Sequence, residues 1–232
     1  MILPRPLRAC ALLLITALAS WTTPAFADLV LSKVILDVPA DAPPRDDIEL
    51  FNGGDERLYV VAEPARIHDP GMTSEQRQES GDPSVTGLLV SPQKLILEPG
   101  ERKLVRVASV LPRDNEERVY RVAIKPVAGD ITANTSALKV FVGYDVLVIM
   151  RPQLATGTLE ARRDGDRLTV HNASNSNVEL AQGRQCDASG NACQTLPAKR
   201  VYAGADWSVS LPYATPVEYD MMQGAKTTKV RW

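Results

Sequence analysis

His68 and His171 are the only histidines in the 232-residue sequence. Histidine is the commonest general base and a frequent metal ligand, so a search for catalysis begins with these two. Neither lies in an H-x-x-x-H or H-E-x-x-H spacing, and no G-x-S-x-G elbow or phosphate-cradling glycine loop occurs. His171 falls at an alternating position of a strand-like run, where a surface or satisfied polar side chain is expected. Met221, Met222, His68 and Met72 could be imagined around a copper ion. Neighbouring residues on a strand face opposite sides, so Met221 and Met222 read instead as one core and one edge residue. The Asn-x-Ser strings at Asn134 and Asn172 are short enough to occur by chance. No catalytic residue, metal ligand set or cofactor is expected.

The cysteines support a different chemistry. Arg5 and Arg8 precede an apolar run over residues 9–19, and Ala25-Phe26-Ala27 supplies the small residues of a signal-peptidase site. That run is well short of the ~20 residues needed to span a bilayer. Residues 1–27 therefore read as a secretory signal that removes Cys10, with a mature chain starting at Asp28 and no membrane insertion. Cys186 and Cys193 remain, an even pair in an oxidising compartment, flanking the turn-rich string over residues 187–192. A structural disulfide is expected between them.

Composition narrows the function class further. With 26 Lys+Arg against 28 Asp+Glu, the chain carries a formal charge of −2 and no basic field for nucleic acid. Loss of Arg5 and Arg8 with the signal makes it more acidic still. A hydrophobic content of 44% excludes disorder, and three cysteines are too few for a disulfide scaffold or a four-cysteine zinc site.

The elements that must position any functional side chain are strands. Short alternating runs recur at residues 29–38, 48–51, 58–62, 87–90, 94–97, 103–108, 119–124 and 138–150, punctuated by Pro, Gly, Asp and Asn. Arg151-Pro152 interrupts the pattern, because proline cannot continue a paired central strand. The same grammar then resumes at 159–163 and 167–171, joined by Asp164-Gly165-Asp166, and at 178–181, 207–211 and 226–231. Seven or eight strands before residue 151 match the immunoglobulin-like count. The expectation is an all-β protein of two sandwiches in tandem, residues 28–151 and a smaller 152–232.

Residues 138–150 stand apart. Leu138, Val140, Val142, Tyr144, Val146, Val148 and Met150 occupy every even position. As one strand the segment would extend about 40 Å, roughly twice the usual length. Its first half alternates, as in a strand with one exposed face, and residues 146–150 are apolar throughout, as in a strand buried on both faces. A row of branched apolar side chains on such a strand can pair with, or complete, another protein's sheet.

Several strings together resemble the periplasmic chaperones of the pilus chaperone–usher pathway. These are Leu88-Leu89-Val90-Ser91-Pro92, Leu97-Glu98-Pro99-Gly100 with Arg106, Leu111-Pro112-Arg113-Asp114-Asn115-Glu116 with Tyr120, and Val148-Ile149-Met150-Arg151-Pro152. The resemblance implies two immunoglobulin-like domains in a boomerang and a strand over about 137–150. That strand would insert Leu138, Val140, Val142 and Tyr144 into a subunit lacking its last strand. It implies an interdomain charged cluster of Glu116, Arg151 and Asp220. Pilus or fibre subunits and an outer-membrane usher are the implied partners, and the periplasm the implied site; an exposed donor strand could also pair with itself in a dimer. Three positions depart from the family. Its first anchoring cation, which grips the subunit's C-terminal carboxylate, is Lys33 here and its second aligns with Leu147. Either Lys125 or Lys139 joins Lys33, or the client is held mainly by strand pairing and apolar insertion. Its Asn after the Tyr is Val122. A fibre subunit or adhesion module is the competing class, but a subunit would carry its donor segment as a free N-terminal extension, whereas this one is internal.

Overall fold

The computed structural model describes residues 28–127 and 141–232. The expected signal, and Leu138, Lys139 and Val140, lie outside the described residues. The first sandwich contains β1 (Leu29–Leu31), β2 (Ile35–Val38), β3 (Arg45–Asn52), β4 (Leu58–His68), β5 (Gln76–Glu79), a helical turn α1 (Pro83–Thr86), β6 (Leu88–Ser91), β7 (Lys94–Leu97), β8 (Arg102–Ser109), β9 (Arg118–Val127) and β10 (Tyr144–Met150). One sheet runs β1-β3-β8-β6 and the other β2-β10-β9-β4-β5, with β7 on the remaining length of the outer edge of β4. Between them, alternate residues such as Ile48, Leu50, Val60, Val105, Val107, Val122, Ile124, Val146 and Val148 form a closed apolar core. Each such aliphatic side chain stabilises by about 1.5–3 kcal/mol on burial.

One expected run is divided, and another is described only from residue 141. Residues 29–38 form β1 and β2 on opposite sheets: Ser32 donates its N–H to Glu49 O at 2.9 Å, and Val34 O accepts from Leu147 N at 3.0 Å. The chain changes sheets at Lys33 because each half finds its backbone partners in a different layer. Residues 138–150 were expected as one strand, but the described strand begins only at Tyr144, opposite Ile124 of β9. Gly143 lies just before it, where a Cβ would come within 2.8 Å of the Lys125 Cβ. Its missing side chain lets the backbone pass close to β9. The polar stretch after residue 68, in contrast, contains a strand: β5 pairs with the end of β4, Ile67 opposite Arg77 and His68 opposite Gln76.

The second sandwich comprises β11 (Leu159–Asp164), β12 (Arg167–Asn172), β13 (Val178–Cys186), β14 (Cys193–Thr195), β15 (Lys199–Val201), β16 (Asp206–Ser210), β17 (Val217–Gln223) and β18 (Lys226–Arg231). Its sheets run β11-β12-β16 and β14-β13-β17-β18, with β15 also on β13. β17 has no counterpart among the expected runs, although Val217, Tyr219 and Met221 alternate with Glu218 and Asp220 as a strand requires. Met221 packs on the core, which centres on Leu168, Val170, Leu180, Val217 and Tyr219. Each sandwich also buries an asparagine that closes a turn. Asn52 donates to Glu56 O and Leu97 O, and Asn172 to Ser176 O and Val201 O. Asn172 is wholly buried, in keeping with a chance Asn-x-Ser string.

Cys186 and Cys193 are paired residues of β13 and β14 and form a disulfide. Asp187 organises the loop, accepting from Ser189 Oγ at 2.7 Å, Asn191 N at 2.9 Å and Ala192 N at 3.1 Å, and these bonds hold its carboxyl below the usual range. Replacing both cysteines by serine should lower the stability of the second sandwich by up to about 2.5 kcal/mol, the chain-entropy value for so short a loop. Trp207 and Trp232 both pack on that sandwich's core, so their fluorescence in a urea titration reports the loss.

Candidate functional site

β10 lies between β9 and β2, but its two sides are unequally paired. Antiparallel pairing with β9 covers Tyr144–Met150, whereas β2 pairs in parallel with only Leu147 to Met150. Among the described residues no strand pairs with 144–146 on the β2 side. Open edges of this kind are templates for another strand. Just ahead of it, Val142 is 62% exposed. Tyr144 is half-buried against the core and donates its hydroxyl to Leu29 O at 2.8 Å, securing the first residue of β1 beside the opening.

The outer face of the same sheet forms the floor of a cleft. Leu147 and Ile149 project there beside Ile67 and Val119, and Tyr202 of the second sandwich packs on the four. Leu147 is only 5% exposed, so the position that departs from the family pattern is a dry contact. Lys33 reaches both oxygens of Asp46, at 2.9 and 2.8 Å, with 39% of its side chain exposed. Lys125 is held by Glu63 at 2.7 Å. The cation on this face that the sequence reading missed is Arg121, the cross-strand neighbour of Leu147. Arg121 donates to Asp145 O at 3.2 Å, and Arg77 grips both Asp145 carboxylate oxygens at 3.1 Å. A cavity of about 180 Å³ opens between these groups and Tyr202.

A buried charged cluster joins the sandwiches, but not with the expected membership. Arg151 donates to Asp37 Oδ1 and Oδ2 at 2.7 and 2.6 Å, a bidentate pair, and to Glu117 Oε2 at 3.1 Å. It also reaches Ser176 Oγ at 2.8 Å and Asn177 O at 3.0 Å in the second sandwich. Glu117 accepts from Ser176 Oγ, Asn177 N and Asn177 Nδ2 at 2.7, 3.0 and 2.7 Å. Burial alone would disfavour the Arg151 charge; the hydrogen bonds to Asp37 and the nearby Glu117 outweigh it and raise its pKa. Glu116 instead lies exposed, its N–H donating to Asp114, and Asp220 sits on β17 opposite Lys229.

Strand parity explains the correction. Val119, Leu147 and Ile149 face the second sandwich, and residues of the same parity at 117, 37 and 151 face it too. Glu116 is one residue out of step, and a one-residue shift moves a side chain to the opposite face. The alternation in the sequence could therefore have selected Glu117. Nothing in the sequence pointed to Asp37, because only the parallel pairing of β2 with β10 brings it alongside.

No family model matches the chain. A probable fimbrial chaperone of Escherichia coli K12, EcpE, is 26% identical over 184 residues, covering 76% of this chain and 74% of that protein. Among solved structures, the class 5 fimbriae chaperone CfaA matches with a TM-score of 0.66 at 21% identity, over 88% of this chain and 97% of its own. A chain from the complex of the Salmonella enterica SafA pilin with the SafB chaperone matches with a TM-score of 0.63 at 17% identity, over 90% and 98%. The Escherichia coli chaperone DraB gives 0.61 at 15%, over 88% and 96%. The chain thus resembles fimbrial chaperones in sequence and shares their two-domain β-sandwich fold.

The revised cluster is open to a direct test. Glu117→Ala should cost about 3–5 kcal/mol, the usual consequence of removing one partner of a buried pair. Glu116→Ala and Asp220→Ala should each stay within about 0.5 kcal/mol of the parent, as exposed or loosely placed side chains do. Chemical denaturation of the three variants ranks them; the reverse order would restore the original cluster.

Proposed function

We propose that this chain is a periplasmic chaperone for the subunits of a pilus or surface fibre, and that it works by strand lending rather than catalysis. The observation that carries the reading is the open edge at residues 144–146, entered from the alternating apolar segment that starts at Leu138. The relatives supply the context: the similar sequences and folds are those of fimbrial chaperones, one of them matched in a complex with a pilin. Residues 1–27 would direct export and be removed after it, and the disulfide fits an oxidising compartment. The described residues contain no helix long and apolar enough to cross a membrane.

The physical logic is complementation. A fibre subunit that lacks its last strand exposes a groove of core side chains and unpaired amides, an aggregation hazard. A strand over about 137–150 would satisfy those amides while Leu138, Val140 and Val142 enter the groove, with Tyr144 at its mouth. At about 1.5–3 kcal/mol per fully buried side chain, three such residues contribute several kcal/mol before ordering costs. Lys33, paired with Asp46 and partly exposed, would meet a subunit's terminal carboxylate by exchanging that partner. Transfer to an outer-membrane usher would then exchange the lent strand for a permanent one.

Val142→Asp should leave the melting temperature of the free protein unchanged, since the side chain is largely exposed, yet abolish accumulation of the fibre subunit in co-expressing cells. Val140→Asp should do the same. Full subunit recovery with either variant would sink the strand-lending reading.

A further inference from the structure

The β4–β5 hairpin ends in a seven-residue tip, residues 69–75, that leaves its own sandwich and touches the other. Its shape is internally enforced. Met72 N donates to Asp69 O at 3.1 Å, Glu75 N to Met72 O at 3.2 Å, Gly71 N to Glu75 Oε2 at 2.6 Å and Ser74 Oγ to Asp69 Oδ2 at 2.9 Å. Asp69 and Gly71 both adopt positive φ, at 49° and 77°. This curl turns Met72 outward onto the second sandwich, where it packs against the cluster that contains Val201 and Ala205. The receiving surface is a turn over residues 202–205 stripped of bulk at its centre. A Cβ on Gly204 would come within 2.8 Å of the Met72 Cε, and one on Gly71 within 3.0 Å of the Tyr202 ring. That turn is tied to Asn172, which accepts from Gly204 N at 2.8 Å and donates its N–H to Ala205 O at 3.0 Å.

The contact is reciprocal. Met72 of the first sandwich enters the apolar cluster of the second, and Tyr202 of the second packs on Ile67, Val119, Leu147 and Ile149 of the first. We propose that residues 69–75 and 202–205 form a latch that sets the angle between the sandwiches and thereby holds the cleft in its client-binding geometry, with Met72 as the positioning residue. The part concerning client binding rests on the chaperone reading above. The latch meets the second sandwich at a different place from Arg151, which reaches Ser176 and Asn177, and Asn172 links the two by donating to Ser176 O. Methionine suits such a joint, because its unbranched chain fills an irregular gap without demanding one rotamer.

Spin labels on Asp55→Cys and Glu160→Cys report the distance between the sandwiches; the native cysteines are unreactive in their disulfide. In this background Met72→Ser should widen the distance distribution and raise the apparent dissociation constant for a fibre subunit about tenfold, the factor expected when the competent orientation falls to about a tenth of molecules. Met72→Leu should return both measurements to the parent. Should Met72→Ser fail to fold, residues 69–75 can be replaced by Asn-Gly, a two-residue turn that still joins the paired His68 and Gln76. A parental distance distribution in the folded serine variant or the shortened hairpin overturns the latch. A widened distribution with unchanged capture overturns its role in client binding. Failure of the unaltered protein to capture any subunit refutes the chaperone reading, while the distances still decide the latch.

Discussion

The guanidinium of Arg151 is the interaction on which the other features converge. A charge this deeply buried is tolerated only when every donor finds a partner, since an uncompensated ion inside a protein costs several kcal/mol. Its partners arrive from three segments: Asp37 on β2, Glu117 at the entrance to β9, and the adjacent Ser176 and Asn177 of the second sandwich. Satisfying Arg151 therefore fixes where β10 ends, where β2 lies against it, and how the second sandwich meets both. The bidentate pair with Asp37 has a further consequence. It holds β2 at the Met150 end of β10, and the short parallel pairing that results leaves residues 144–146 without a partner on that side among the described residues. The same constraint that closes the interdomain joint thus keeps the proposed donor edge unpaired.

Much of this was legible in the sequence because period-two patterning is a direct record of burial. Residues 146–150, apolar at every position, are buried on both faces, against the core on one side and Tyr202 on the other. The hairpin at Asp164-Gly165-Asp166 and the cysteine pair also follow from local chemistry. What could not be read was non-local pairing. The division of residues 29–38 between sheets depends on Glu49 and Leu147, far away in sequence. The hairpin tip at 69–75 is polar in its own neighbourhood, and only the second sandwich gives Met72 an apolar partner. β17 was legible and unread, since Val217, Tyr219 and Met221 alternate with Glu218 and Asp220.

Leu147 shows how one substitution redistributes a recognition problem. Where the resemblance anticipates a lysine, this chain places a nearly buried apolar side chain under Tyr202. A lysine there would need either water or a counter-ion, and both would separate the ring from the sheet. Leucine lets the second sandwich seat directly on the first, so the cleft gains a dry floor and loses a cation. Among the described residues, positive charge sits at the margins, on Lys33 beside Asp46, Lys125 beside Glu63, and Arg77 and Arg121 around Asp145. Each of these is already neutralised by a carboxylate, and the whole chain is slightly acidic. Long-range attraction is therefore weak, and any client must be held chiefly at short range, by backbone pairing along an edge and by apolar insertion. Both of those are sensitive to the relative placement of strand and cleft. A protein that has exchanged an anchoring charge for a packed joint depends more heavily on the rigidity of that joint, which is where Arg151, Tyr202 and Met72 are found.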